Sequence, residues 1–318
     1  MINNNYKYND NSYNYNDTRD INNFDIEFSN INSILDKLNF IKDDLDSNFL
    51  ERKGVIDMII LAVVSKKHSI LIGEPGLAKT AVLKALAGHV KGLKLFDFQM
   101  TPATGINELM SKNIQNKTGI DNCDIALIDE FFKGPHAALN SLLSIMNERI
   151  VYVPEPRKIP LISLFATSNE KPDKSSDANL LPLYDRFLFR KEILPIRNAG
   201  NFKKLLELKD EQNLNNIGCA GKTFTRKDLD VLTSMIGAVG IGGEIFNCLY
   251  RIREELRNKQ VIVSDRRWHE TIKILKANAL LNKRNTVVKS DIEVLEPSLW
   301  TYYSDIRAVK NILRRELQ

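Results

Sequence analysis

The chain has 318 residues, of which 43% are hydrophobic and 27% charged, the composition of a soluble globular protein with one large domain or two smaller ones. Its net charge of +5 is uneven: residues 1–50 hold 4 Lys and Arg against 9 Asp and Glu, which leaves +10 elsewhere, a surplus compatible with nucleic acid or an acidic partner. Because there is no membrane-length apolar run, no secretory leader and only 3 scattered cysteines, we expect a cytoplasmic protein without a membrane segment or disulfide framework.

The N-terminal part of the chain changes character near residue 30. Residues 1–30 are rich in Asn, Asp and Tyr and lack apolar periodicity, which predicts a disordered arm. Apolar residues at near-helical spacing then predict a first helix over Ile31–Leu45, and a second helix is predicted over Gly54–Ser65.

A glycine-containing loop lies between a predicted strand, Ser69–Ile72, and a predicted helix, Ala81–Ala87. Its residues are Gly73, Glu74, Pro75, Gly76, Leu77, Ala78, Lys79 and Thr80. Strand, loop and helix in this order form the layout of a phosphate-binding loop, where backbone N–H groups and the helix N-terminus favour an anion. We expect Lys79 to add a positive charge for the outer phosphates and the Thr80 hydroxyl to ligate Mg²⁺.

Ala78 departs from the usual loop pattern, because it stands where a second glycine is expected. The position lies at the start of the following helix, where Ala is a good helix former. We therefore expect Ala78 to need no positive φ, and the departure to be mild.

Two acids end a buried strand farther along the chain. After a predicted strand over Leu93–Met100, the run Asp124–Glu130 predicts a second parallel strand that finishes with Asp129 and Glu130. Ligand sites in parallel sheets lie at the carboxyl ends of strands, so these acids can meet the loop. Asp129 would hold the Mg²⁺ shell, and Glu130 would orient or deprotonate the attacking water. The alternative is a pair of acids that caps the next helix.

A third strand brings an amide to the same edge of the sheet. A helix is predicted over Pro135–Arg149, followed by a hairpin of Ile150–Val153 with Arg157–Ile159. The strand Leu161–Ala166 then leads to Asn169, which would polarise the attacking water or contact the γ-phosphate. An asparagine with only a turn-forming role is the alternative.

Arginines flank the next strand. A short helix is predicted over Asn179–Arg186 and a strand over Phe187–Phe189. Arg186 or Arg190 would be free to reach the nucleotide of a neighbouring molecule and to neutralise charge in the transition state. The alternative is a surface ion pair with Asp185 or Glu192.

A stretch with Pro, Asn and Gly at residues 195–200 predicts a domain boundary. It separates an α/β domain at 31–197 from a mostly α-helical domain at 198–318. Helices are predicted over Asn201–Gln212, Arg226–Met235, Gly243–Lys259 and Asp265–Leu281, with short extended pieces at Lys222–Phe224, Val261–Val263 and Thr286–Val288. Arg266 and Arg267 lie in the first turn of a helix, where the dipole disfavours them, which suggests phosphate binding or pairing with Asp265.

Taken together, these motifs resemble an AAA+ ATPase of the MoxR family, in its RavA-like subgroup. The motifs are GEPGLAKT at Gly73–Thr80, IALIDE at Ile125–Glu130, NSLLSIMNER at Asn140–Arg149, TSNE at Thr167–Glu170, LYDRF at Leu183–Phe187 and SDRRW at Ser264–Trp268. The resemblance covers roughly residues 31–318. It implies a P-loop NTPase with a five-stranded parallel sheet flanked by helices, followed by a mostly α-helical lid, and it suggests that the extra C-terminal domain of RavA-like proteins is absent or truncated.

The resemblance also implies roles for single residues, with ATP and Mg²⁺ bound between the subunits of a ring that is usually a hexamer. Lys79 and Thr80 correspond to Walker A, Asp129 and Glu130 to Walker B, Asn169 to sensor 1, Arg186 to the arginine finger and Arg266 to sensor 2 on the lid, with Arg190 and Arg267 as weaker alternatives.

The function expected from this resemblance is ATP hydrolysis by a ring-shaped motor or chaperone that acts on a protein, for example one with a von Willebrand A domain. One alternative is a nucleic-acid remodelling ATPase that uses the basic surplus. Another is a nucleotide-gated scaffold with little turnover, against which the intact acids and the amide argue.

Overall fold

The computed structural model describes residues 18–110, 119–152, 155–170, 180–207 and 223–318, with the backbone alone over 18–30. The helices are α1 Thr18–Asn48, α2 Lys53–Ser65, α3 Lys79–Gly88, α4 Ile106–Leu109, α5 His136–Glu148, α6 Leu181–Arg186, α7 Ala199–Glu207, α8 Arg226–Met235, α9 Gly243–Asn258, α10 Asp265–Leu281, α11 Glu296–Leu299 and α12 Ile306–Leu317. The strands are β1 His68–Ile72, β2 Val90–Lys91, β3 Leu95–Gln99, β4 Ile125–Asp129, β5 Ile150–Val151, β6 Arg157–Lys158, β7 Ser163–Ser168, β8 Phe187–Glu192 and β9 Phe224–Thr225.

The core of the fold is a parallel sheet of five strands in the order β3-β4-β7-β1-β8. The central strands β1 and β7 are buried along their whole length, and β4 is buried up to its last residue. A strand that is covered on both faces consists of a continuous run of apolar residues, and this is why these strands could be predicted from the sequence. The predicted five-stranded parallel sheet is confirmed.

Helix α2 lies at the centre of the helical packing. Its residues from Val55 to Ser65 are buried with one exception, and it contacts α1, α8, α10 and β1. A helix that is apolar on every side needs partners on every side. It therefore joins the sheet to the helices of the C-terminal region.

Helix α1 begins at Thr18, whereas the sequence pattern predicted a disordered arm up to residue 30 and a helix from Ile31. Its buried stripe includes Ile31, Leu35 and Leu38. Once such a stripe nucleates a helix, each further residue costs little to add, even where the sequence has no apolar periodicity. Residues 1–17 of the predicted arm lie outside the described residues.

The C-terminal region is a helical lid, as predicted. Helix α10 contacts α2, α11 contacts β8, and α12 contacts α9. Of the three extended pieces predicted here, the first overlaps β9 at Phe224, and β9 pairs in parallel with β2. Thr286 forms an isolated bridge with Gly240, and 261–263 forms no strand. Among the residues with described structure, no helix is both long and apolar enough to cross a bilayer.

Candidate functional site

The loop between β1 and α3 needs glycine at its first position. The Gly73 amide donates to the Ser168 carbonyl at 3.0 Å, which fixes the loop to the end of β7. A Cβ atom on Gly73 would lie 2.5 Å from the Ile193 carbonyl oxygen, closer than real Cβ contacts allow. Gly76 has a φ of +77°, a conformation that glycine adopts without strain.

Ala78 also adopts the left-handed conformation, with φ 60° and ψ 23°. The expectation that Ala78 needs no positive φ was therefore wrong. Ala78 is the N-cap of α3, whose first residue is Lys79, so it belongs to the turn and not to the helix. For an L-residue this conformation costs roughly 1–2 kcal/mol.

Lys79 is buried inside the loop and is held by oxygen atoms. Its ammonium group donates to the Gly73 carbonyl, to the Glu74 carbonyl at 2.9 Å and to Asn169 Oδ1 at 2.9 Å. Burial lowers the pKa of Lys79, although the carboxylates of Asp129 and Glu130 oppose this shift. The loop thus holds a cation beside the first turn of α3, where a phosphate would be favoured.

Asp129, at the end of β4, accepts hydrogen bonds from two hydroxyls and one amide. Thr80 Oγ1 donates to Asp129 Oδ2 at 3.2 Å, while Thr167 Oγ1 and the Glu130 amide, the latter at 3.0 Å, donate to Oδ1. Hydroxyl and carboxylate oxygens are the ligands that Mg²⁺ prefers. The predicted pair Thr80 and Asp129 therefore fits a Mg²⁺ ion.

Glu130 and Asn169 are joined directly. Asn169 Nδ2 donates to Glu130 Oε1 at 3.1 Å, and the Asn169 oxygen accepts from Lys79, so one amide links the two charged groups. Lys133 forms an ion pair with Glu130 Oε2 at 3.2 Å. Glu130 has a φ of 54°, a left-handed conformation that turns the chain sharply after β4. The structure thus brings together Lys79, Thr80, Asp129, Glu130 and Asn169.

Sequence reasoning missed two residues that shape this site. Thr167 donates a hydrogen bond to Asp129 Oδ1 and so orients that carboxylate. Arg52, a buried residue just before α2, donates from Nε to the Leu77 carbonyl at 3.3 Å and so braces the loop from behind. Thr167 lies two residues before Asn169 at the end of a buried strand, and that position is the signal that could have identified it.

Arg186 and Arg266 lie away from the loop. Arg186 ends α6 immediately before Phe187, which pairs with His68, the first residue of β1, whereas the loop follows the last residue of β1. Five strand residues rise about 13 Å between their ends. Both guanidinium groups bind Asn147 of α5. They therefore lie where the N-terminal ends of β1 and β8 meet, the amino edge of the sheet, whereas the loop lies at the carboxyl edge, where the strands end.

Arg266, which the resemblance assigns to sensor 2 on the lid, therefore does not contact the loop of its own chain in this structure. The side chain of Ser264, the N-cap of α10, donates to Asp185 Oδ1 at 2.9 Å. This contact fixes the start of α10 beside α6, at the opposite edge of the sheet from the loop.

The two alternative arginines are buried and structural. Arg190 is 0% exposed; it donates to the carbonyls of Tyr184 and Trp300, and its guanidinium group lies 6.0 Å from the centre of the Trp300 ring. Arg267 is 3% exposed and donates to the same Trp300 carbonyl at 3.0 Å and to Ser298. Burial lowers the pKa of both arginines. Side chains so enclosed cannot reach a nucleotide, so Arg190 and Arg267 fasten the lid to β8.

The chain is similar to several known families and proteins. A family model described as the MoxR domain in MoxR-vWA-beta-propeller ternary systems matches residues 36–218, and a model of an AAA lid domain matches residues 244–313. An uncharacterized protein of Methanocaldococcus jannaschii is 33% identical over 293 residues, which cover 88% of this chain and 74% of that protein. Chaperone MoxR1 of Mycobacterium tuberculosis is 28% identical over 147 residues, or 43% of this chain and 38% of that protein.

The fold also matches a solved structure. A "putative ATPase" from Cytophaga hutchinsonii superposes with a TM-score of 0.76 at 20% identity, over 93% of this chain and 98% of that one. Both the sheet and the lid are therefore shared with a protein of distant sequence.

Proposed function

The chain belongs to the MoxR family of AAA+ ATPases, and from that premise we propose that it binds ATP with Mg²⁺ and hydrolyses it to drive changes in a protein partner. The observation that carries this proposal is the hydrogen-bonded series Lys79–Asn169–Glu130 at the mouth of the loop. It puts a phosphate-binding cation, an orienting amide and a proton acceptor within contact of one another. Phosphoryl transfer to water requires these groups in one place.

Each residue then has a chemical role. The loop amides and Lys79 hold the outer phosphates. Thr80 and Asp129 would hold Mg²⁺, which would supply charge neutralisation for the phosphates when bound. Glu130 accepts the proton of the attacking water, and Asn169 keeps Glu130 and that water in line with the γ-phosphate. Hydrogen bonds from Thr167 and Glu130 N hold the Asp129 carboxylate in its orientation.

Arg186 and Arg266 complete the site of another subunit in this proposal. They lie at the amino edge of the sheet while the loop lies at the carboxyl edge, so one surface of a copy complements a different surface of the next. Such head-to-tail contacts generate rings, and a hexamer is the expected size. The arginines then stabilise the charge that develops on the γ-phosphate of the neighbour.

The partner that we propose is a protein with a von Willebrand A domain. The matching family model is described in MoxR-vWA-beta-propeller systems, and this description is the support for the partner class. The RavA-like subgroup and a cytoplasmic location stay predictions from the sequence motifs.

The test of hydrolysis is steady-state phosphate release with two variants. Glu130→Gln keeps the shape of the side chain but loses the proton acceptor, so turnover should fall by about 100-fold or more while ATP still binds. Lys79→Ala removes the cation from the loop, so ATP binding itself should be lost. Glu244→Gln, a change at an exposed lid residue, is the matched control and should match the wild type.

Two outcomes would contradict the proposal. Full turnover by Glu130→Gln would remove Glu130 from its role. ATP binding without measurable phosphate release by the wild type, alone or with its partner, would identify a nucleotide-gated scaffold instead.

A further inference from the structure

A cationic cleft of about 180 Å³ lies at the amino edge of the sheet, far from the loop. Its lining includes Lys66, Lys67, Arg149, Arg186 and Arg266. Burial, and next the charge of Arg266, lower the pKa of Arg149 to about 10. So many like charges in one cleft repel each other, and an anion would relieve that repulsion.

One neutral side chain holds two of these charges together. Asn147 lies in the last turn of α5, and its Oδ1 accepts from Arg186 Nε at 3.0 Å and from an Arg266 terminal nitrogen at 2.8 Å. Arg186 comes from α6 and Arg266 from α10, so Asn147 is where the sheet domain and the lid converge.

The two acids that line the cleft bind residues other than Arg186 and Arg266. Asp185 binds Ser264 and Arg267, and Glu270 pairs with Lys67. Within the described part of the chain, no ion pair joins a carboxylate to Arg186 or Arg266. Burial and then the neighbouring charge of Arg266 lower the pKa of Arg186, although the charge of Asp185 opposes this shift.

We propose that Asn147 is a positioning residue that holds Arg186 and Arg266 side by side, so that both reach the terminal phosphates of the nucleotide in the next copy. This inference rests on the proposed function and gives a role to a residue for which no motif indicated one. An amide suits the role because it accepts two hydrogen bonds without adding charge. A carboxylate in its place would already neutralise the charges of Arg186 and Arg266 before the nucleotide binds.

The test compares Asn147→Ala and Asn147→Asp with the wild type in ATP binding and in steady-state turnover. Both variants should bind ATP within about twofold of the wild type, because the loop is untouched. Turnover should fall about tenfold, the effect of losing a hydrogen bond to a charged group. Asn140→Ala, a change of an exposed asparagine on the same helix, should leave both quantities unchanged.

A mixing experiment separates positioning of the arginines from a general structural role. Asn147→Ala is mixed with Glu130→Gln, whose own sites are inactive but whose arginines and Asn147 are intact. Activity should rise from about a tenth to about a quarter of the wild-type value, because the Glu130→Gln copy supplies the arginine pair to the intact loop of its neighbour. Asn147→Ala should cost no further turnover in the Arg186→Ala/Arg266→Ala background, because no arginine is left there for Asn147 to position.

The inference is overturned if turnover of Asn147→Ala stays within twofold of the wild type, or if mixing restores nothing. In those cases, if Glu130→Gln still binds ATP and loses turnover as expected, the proposed function still holds. If the wild type itself does not hydrolyse ATP, both proposals fail together.

Discussion

At the scale of single residues, the phosphate loop contains a strained alanine. Ala78 has a φ of 60° at the point where the loop turns into α3. Left-handed backbone costs an L-residue roughly 1–2 kcal/mol, whereas glycine pays mainly about 0.5–1 kcal/mol in entropy. The native sequence thus retains strain at the residue next to Lys79.

We expect Ala78→Gly to raise the free energy of unfolding by up to about 1 kcal/mol, because relief of strain exceeds the added chain entropy. Urea unfolding of the nucleotide-free protein measures this difference. Ala85→Gly is the control, since Ala85 lies inside α3 and its replacement should cost about 1 kcal/mol. If the two variants are destabilised equally, Ala78 is not strained.

At the scale of elements, His68 joins three of them. It begins β1, its Nε2 donates to the Met146 carbonyl of α5 at 3.0 Å, and its Nδ1 accepts from the Leu164 amide of β7 at 2.8 Å. Because Nδ1 accepts a hydrogen bond, it carries no proton and the ring is neutral, while Nε2 lies against both the Met146 carbonyl and the Arg149 guanidinium group. Burial, and next the charge of Arg149, hold the pKa of His68 well below its ordinary value.

This junction should make the fold sensitive to acid. Unfolded His68 takes up a proton near pH 6.5, whereas the folded side chain stays neutral, so the unfolded state binds more protons between these two pKa values. Stability should therefore fall as the pH drops below about 6.5, by at most about 1.4 kcal/mol per pH unit from this group.

The measurement is urea unfolding at pH 7.5 and 5.5 for the wild type and for His68→Gln. The variant should be less stable at pH 7.5 and should lose less stability on acidification. His269→Gln, at an exposed histidine, should retain the wild-type pH dependence. Equal slopes for the wild type and His68→Gln would show that His68 titrates normally in the folded protein.

How far the elements could be predicted from sequence depends on the range of the interactions that form them. The buried strands and α8 to α10 have local signals, namely apolar runs, helical periodicity and caps such as Ser264. The φ of Ala78 and the position of Arg266 have none. The first depends on how the loop is fixed to β7, and the second on α10 packing against α2, far away in the chain. No short stretch of the sequence indicates either contact.

The same distinction holds for the candidate site. The loop, the two acids and Asn169 follow strands of one parallel sheet, and in such a sheet the carboxyl ends of strands meet, so their convergence was predictable. The pairing of Arg186 with Arg266 was not, because Asn147, which holds them, lies within the NSLLSIMNER motif but has no role there that the sequence indicates.

At the scale of the whole molecule, the two edges of the sheet carry the parts that we propose form one active site between neighbouring copies. The phosphate loop and Glu130 lie at the carboxyl edge, and Arg186 and Arg266 lie at the amino edge. A single copy therefore cannot bring the arginines to its own loop. The proposed ring follows from this separation, because repeated head-to-tail contact puts each arginine pair against the next loop.

Subunit mixing tests this arrangement. Arg186→Ala and Arg266→Ala should each bind ATP but hydrolyse it slowly, since the arginine finger contributes about 10³-fold or more to turnover in related chemistry. Each is mixed in equal amounts with Glu130→Gln, which is inactive by itself but has both arginines. If copies assemble at random in a head-to-tail ring, about a quarter of the interfaces join an intact loop and Glu130 to an intact arginine pair.

Turnover of either mixture should therefore rise to about a quarter of the wild-type value if intact sites act independently, although each component alone is nearly inactive. Arg266 gives the sharper result. Were it to act on the loop of its own subunit, no copy in the Arg266→Ala mixture would contain a complete site, and mixing would restore nothing. Rescue of Arg186→Ala without rescue of Arg266→Ala would still support the ring, but it would show that Arg266 acts on the loop of its own subunit. In that case α10 would have to leave its contacts with Asp185 and Asn147.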